Sequence, residues 1–128
     1  MTHSGNLTVK DFNAEGADAM IVRLPAGVAV CRILSSEAYD VARRIALTAF
    51  GLSLVRERPP SNTWSDEFEY RLAVELGFAA IIAWRGAPAS SEITRTFVAE
   101  LMRDDVVRFI FLIRIENAVR QISQGKVA

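Results

Sequence analysis

The chain has 128 residues and a mass of 14.1 kDa, with 51% hydrophobic and 23% charged residues, so it can bury one core and is unlike long disordered chains. Fifteen Lys and Arg balance fifteen Asp and Glu, which leaves no net field to gather phosphate backbones or anionic lipid; no nucleic-acid or membrane partner is expected. One cysteine and one histidine cannot assemble a disulfide framework or a multi-ligand zinc or iron–sulfur site within one chain, so no cofactor is expected either.

In residues 1–18, Asn, Gly, Asp and Lys interrupt every apolar pair, which reads as a flexible leader before a single helical domain over 19–128. That leader has no charged start followed by an apolar signal core, and the longest uncharged apolar stretch, residues 76–84, falls far short of the roughly 20 residues that cross a bilayer. The expected compartment is a reducing cytoplasm. Met20-Ile21-Val22-Arg23-Leu24 and Val28-Ala29-Val30-Cys31-Arg32-Ile33-Leu34 are short β-rich runs on either side of Pro25-Ala26-Gly27. They predict a hairpin in which Gly27 can take the positive φ that a three-residue connection often needs, with Cys31 a buried thiol. Two strands alone are marginal, so the ribbon should lie against something.

Ser35-Ser36-Glu37 predicts a helix start, and Val41, Ala42, Ile45, Ala49 and Leu52 recur at helical spacing as its apolar face. The helix should fade before Arg58-Pro59-Pro60. Thr63 or Ser65 can cap a second helix with Phe68, Leu72, Leu76, Ala79 or Ala80, and Ala83 or Trp84 as its stripe. From Leu76 it is apolar all round, which places its C-terminal half in the core, and Trp84-Arg85-Gly86-Ala87-Pro88 ends it. Ser90-Ser91-Glu92 predicts a third helix with Ile93, Phe97, Val98, Leu101 and Met102 on one side; Asp104 or Asp105 can cap a fourth. Residues 106–115 are β-rich and nearly all large and apolar, so a buried strand competes there. The continued spacing of Ala118, Val119 and Ile122 favours a helix. The fold class expected is mainly α with an N-terminal β-hairpin, a small single-domain bundle of about four helices.

Chemistry-bearing patterns are sparse. His3 sits in the leader, with nothing to hold its tautomer against a nucleophile. Ser35, Ser36, Ser65, Ser90 and Ser91 stand where helices begin, and capping accounts for them. No Gly-x-Ser-x-Gly elbow or phosphate-cradling glycine loop occurs, so catalysis is not expected. Asp66-Glu67-Phe68-Glu69 and Asp104-Asp105 could be imagined as acid or metal clusters, but acidic first turns complement a helix dipole. Arg43, Arg44, Arg56 and Arg58 lack interleaved aromatics and read as a solvated face. The last helix is harder to dismiss: Phe109, Phe111, Leu112 and Ile113 point about 100° apart, so one neighbour cannot cover them all. Either it is a wholly buried central helix, or part of it meets a protein partner, with Arg108 and Arg114 at the rim.

The order of these segments carries a resemblance. Leu24-Pro25-Ala26-Gly27 precedes Val30-Cys31-Arg32-Ile33-Leu34, then Ala42-Arg43-Arg44-Ile45-Ala46. Next come Leu76-Gly77-Phe78-Ala79-Ala80-Ile81-Ile82-Ala83-Trp84-Arg85-Gly86, then Ile93-Thr94-Arg95-Thr96-Phe97-Val98-Ala99-Glu100-Leu101-Met102 and a terminal helix. Over about residues 20–122 this resembles the tail assembly chaperones of long-tailed phages and prophages. The resemblance implies a non-catalytic protein of the bacterial host cytoplasm that binds a hydrophobic tape-measure protein, keeps it soluble and recruits tail-tube subunits. Trp84 and Gly86 would then be structural punctuation. Gln121-Ile122-Ser123-Gln124-Gly125-Lys126 departs from the acidic, asparagine-bearing tail the family leads one to expect. The alternative is a structural or regulatory homo-oligomer, a virion component or an immunity-type inhibitor, whose fourth helix makes the self-contact.

Overall fold

The two β-rich runs form strands β1 (Ala19–Leu24) and β2 (Gly27–Arg32), paired antiparallel with Leu24 opposite Gly27, so the connection is the two-residue turn Pro25-Ala26. The computed structural model describes residues 19–90 and 92–123. The leader with His3, Ser91 of the expected third helix start, and Gln124-Gly125-Lys126 lie outside the described residues. Gly27 does not take the positive φ open to it. It is needed for a different reason: a Cβ there would sit 2.3 Å from the Arg85 carbonyl oxygen and 2.8 Å from Gly86 Cα.

That crowding exists because the sheet has a third strand. The apolar run expected to finish the second helix is divided: helix α2 (Trp64–Ala80) ends at Ala80, and β3 (Ile81–Gly86) follows at once. β3 pairs antiparallel with β2, which makes β2 the central strand. The β-branched pair Ile81-Ile82 and the aromatic Trp84 suit a pleated surface better than a helix, and Ile81 at the helix end is already extended at φ −72°, ψ 123°. A bulge opposite Val30 and Cys31 leaves Ile82 without a register partner. Val22, Ala29 and Trp84 lie in register on the core face, as do Cys31 and Ile81. The other face alternates to Arg23, Val28 and Arg85, with both arginines exposed.

Helix α1 (Ser36–Glu57) begins as its sequence indicates: the Ala38 N–H donates to Ser35 Oγ at 3.0 Å. Its buried residues are Ala42, Ala46 and Ser53, whereas Val41, Ile45 and Leu52 of the expected core stripe are exposed. The helix carries two adjacent stripes, and packing selected the one with small side chains, which lets α1 approach α2 closely. Phe50 seals that contact edge-on against Phe68 at 5.8 Å and Trp64 at 6.4 Å. Arg58 closes α1 in the left-handed conformation at φ 48°, just ahead of Pro59. A 3-10 turn, Ser61–Thr63, leads into α2; the Thr63 hydroxyl donates to the Pro60 carbonyl at 2.7 Å, so it does not cap the helix as expected.

The C-terminal half of α2 is central, with Leu72, Ala73, Val74, Leu76, Gly77 and Ala80 all buried. Gly77 admits the next helix, α3 (Arg95–Leu101): a Cβ at 77 would lie 2.7 Å from Val98 Cγ1. The start of α3 is not at Ser90; the Thr94 Oγ1 accepts from the Phe97 N–H at 3.1 Å. Trp84 stacks at a tilt on Phe97, ring centres 5.8 Å apart, and its indole N–H donates to the Pro88 carbonyl at 2.9 Å. Residues 106–115 are helical, within α4 (Asp105–Ser123), whose start is capped by Asp104 Oδ1 accepting from the Val106 and Val107 N–H groups. Among the described residues the architecture is therefore a small single domain of four helices, mainly α, with a hairpin ahead of them extended to three strands.

Candidate protein-binding face

In α4, Val107, Phe111, Ile115, Ala118 and Val119 repeat at helical spacing and are buried with Leu112. One step round the helix, Val106, Phe109 and Ile113 fall within about 60° of one another at 100° per residue, and all three are exposed. Phe109 is 65% exposed, whereas Phe111 is fully buried. Among the described residues the helix thus exceeds what its neighbours cover, and the excess is confined to one narrow stripe. Asn117 and Arg120 continue the same face as its polar end.

The six residues marked out by sequence separate accordingly. Phe109 and Ile113 remain on the surface; Phe111 and Leu112 belong to the core. Arg108 is buried and occupied: its Nη1 donates to the Met102 carbonyl at 2.9 Å and its Nη2 to Asp105 Oδ1 at 2.6 Å. It ties the α3–α4 joint and offers no charge to a rim. Arg114 is exposed, with Nη2 donating to the Ile21 carbonyl at 3.1 Å, and so tethers α4 to the edge strand β1. Val106 was not singled out by sequence, although its offset of seven residues from Ile113 places both on one side.

Tyr39 joins α1 to the far half of α4 through its hydroxyl, which donates to Glu116 Oε2 at 3.1 Å. Burial, reinforced by the Glu116 carboxylate, pushes the phenol up to about 12. Burial also pushes the Cys31 thiol up to about 12, against the opposing pull of Arg114. Both groups hold their protons in the folded chain after the unfolded chain has lost them at ordinary values of 10.0 and 9.0. Their stabilisation is therefore complete below pH 9.0 and is lost as the pH rises toward about 12. Denaturant titrations across that window should show stability falling, and Tyr39→Phe should flatten the part of the fall above pH 10.0. An unchanged slope in that variant would remove Tyr39 as its source.

Among the described residues no group of three or more His, Cys, Asp and Glu side chains is placed to hold a metal ion, and no helix is long and apolar enough to cross a membrane. The acidic first turn of α2 is instead engaged locally, with Glu67 Oε2 accepting from Arg71 Nε at 2.6 Å. The chain matches no family model, no curated protein and no solved structure.

Proposed function

We propose that this protein is a non-catalytic binding protein of the tail assembly chaperone type, acting in a bacterial host cytoplasm on a hydrophobic tape-measure-like partner and handing it to tail-tube-like subunits. The observation that carries this reading is the exposed stripe Val106, Phe109 and Ile113 on α4, set on a helix whose opposite side is locked into the core. A rigid helix presenting spaced apolar anchors suits a partner helix that lays its own apolar face alongside, with little ordering cost on the chaperone's side. Exposed aromatic and aliphatic groups that cluster on one stripe are characteristic of association surfaces. The order of sequence segments supplies the family resemblance, and the packing of α4 supplies the surface.

Co-expression with a phage tape-measure fragment tests the reading. The wild-type chain should hold the fragment in the soluble fraction, and Phe109→Asp with Ile113→Asp should release it to aggregates while leaving the chaperone folded, because both side chains are exposed. Equal fragment solubility with and without the two substitutions would contradict it. The homo-oligomer alternative, with α4 as the self-contact, requires the same double variant to lower the solution mass in the absence of any fragment.

A further inference from the structure

The sheet has a second face, turned away from the core. With Val22, Ala29 and Trp84 directed inward, strand alternation directs Arg23, Val28 and Arg85 outward as one row across the three strands, and Ile21, Val30 and Ala83 outward as the next. Arg32, opposite Ala19, stands beyond that second row on β2. None of Ile21, Val28, Val30 and Ala83 belongs to the core cluster, yet Val30 is only 2% exposed and the other three are half-buried. The apolar row therefore lies between cations, with Arg23 and Arg85 on one side and Arg32 on the other, all three exposed.

That face carries charge of one sign. Residues 19–36 and 76–90, which supply the three strands and their flanks, contain Arg23, Arg32 and Arg85 and no Asp or Glu. In the remaining described residues carboxylates outnumber arginines, so the sheet is a positive island on a slightly negative protein. Among the described residues no ion pair engages these three guanidinium groups, and Arg114, with Nη2 on the Ile21 carbonyl, sets a fourth at the edge of β1. Carboxylates of a partner would meet the three without breaking an existing ion pair. Arg23 and Arg85 stand two strand spacings apart, about 10 Å, and the apolar row lies about 7 Å along the strands from them and about 7 Å from Arg32. A helix laid along that row matches the spacing: residues seven apart on one flank are separated by about 10.5 Å, and carboxylates flanking an apolar stripe fall on either side of the row. Nucleic acid fits less well. None of the outward strand residues is aromatic, so no ring is there to stack a base, and phosphates would leave the apolar row uncovered.

We propose that the outer face of the sheet is a docking site for an acidic amphipathic helix of a partner protein, seated on Ile21, Val30 and Ala83 with its carboxylates on Arg23, Arg85 and Arg32. The site shares no residue with the α4 stripe, so the two are told apart residue by residue. A three-heptad peptide with leucine at positions a and d and glutamate at e and g, titrated into the full chain and followed by nuclear magnetic resonance, tests it. Resonances of Ile21, Val28 and Ala83 should shift and saturate, whatever those of Val106, Phe109 and Ile113 do. The same peptide with lysine at e and g should leave them in place. Arg23→Glu combined with Arg85→Glu should weaken the acidic peptide on the order of tenfold at this face and admit the lysine peptide instead, because the facing charges are then again opposite in sign. Both arginines are exposed, so the fold should hold; Arg32→Glu serves if the double variant unfolds. Unmoved Ile21, Val28 and Ala83, an equal response to the two peptides, or tighter binding at this face by an oligothymidylate would each overturn the proposal. So would shifts of Val28 and Ala83 without any peptide in Asp11→Asn combined with Glu15→Gln, which would make residues 1–18 of the chain itself the occupant.

Discussion

Phe111→Ala is expected to lower the free energy of unfolding by about 3–5 kcal/mol, and Phe109→Ala, two positions away on the same helix, by no more than about 0.5 kcal/mol. Phe111 is fully buried and is the largest side chain sealed in the core, so its removal deletes the transferred apolar area and leaves a cavity beside a close-packed interior. Phe109 has no such surroundings, and truncating it removes area that was already in water. Urea denaturation of the two variants measures the difference directly, as a shift in midpoint with little change in slope. Comparable losses in both would mean that Phe109 is held by the domain, and the stripe on α4 would no longer be spare surface.

Gly86→Ala is expected to cost about 3–4 kcal/mol, a large effect for adding one methyl group. Two penalties coincide at this position. Gly86 has φ 149°, a conformation that side-chain-bearing residues rarely adopt, and its absent Cβ would lie 2.4 Å from the Ala26 carbonyl oxygen and 2.6 Å from Gly27 Cα. Those neighbours are backbone atoms of the hairpin and cannot rotate away. The next residue uses the same approach, since the Ala87 N–H donates to the Ala26 carbonyl at 2.9 Å. Thermal unfolding of Gly86→Ala should show a marked fall in midpoint, together with the loss of the β2–β3 edge as protected amides. A near-neutral result would show that β3 does not close on the hairpin turn.

The hairpin and the order of the four described helices are legible in the sequence because physical punctuation marks several of their ends: Pro25-Ala26, Ser35 as a cap, Pro59-Pro60 and Asp104; the start of α3, capped by Thr94 and not by Ser90, is not marked so clearly. The third strand is not legible in the same way. No glycine, proline or polar residue separates Ala80 from Ile81, so the helix and the strand share one unbroken apolar run, and only the bunching of Ile81-Ile82 ahead of Trp84 hints at the change. The outward face of α1 is misread for a related reason. Val41 beside Ala42, Ile45 beside Ala46 and Leu52 beside Ser53 form two parallel stripes; hydropathy favours the larger residues, while close helix packing favours the smaller. On α4 the excess of apolar girth is visible from composition. Which residues form it depends on a rotation that only the contacts of Val107, Phe111 and Ile115 with the core determine. The interior role of Arg108 is likewise hidden, because it depends on the Met102 carbonyl at the end of α3.

The binding role proposed for α4 is tested most directly by residue-resolved nuclear magnetic resonance during titration with a soluble tape-measure peptide. Resonances of Val106, Phe109 and Ile113 should shift together and saturate, while those of the buried Leu76 and Val98 stay in place. Saturable binding with the three α4 residues unmoved, or no binding at all, would contradict it.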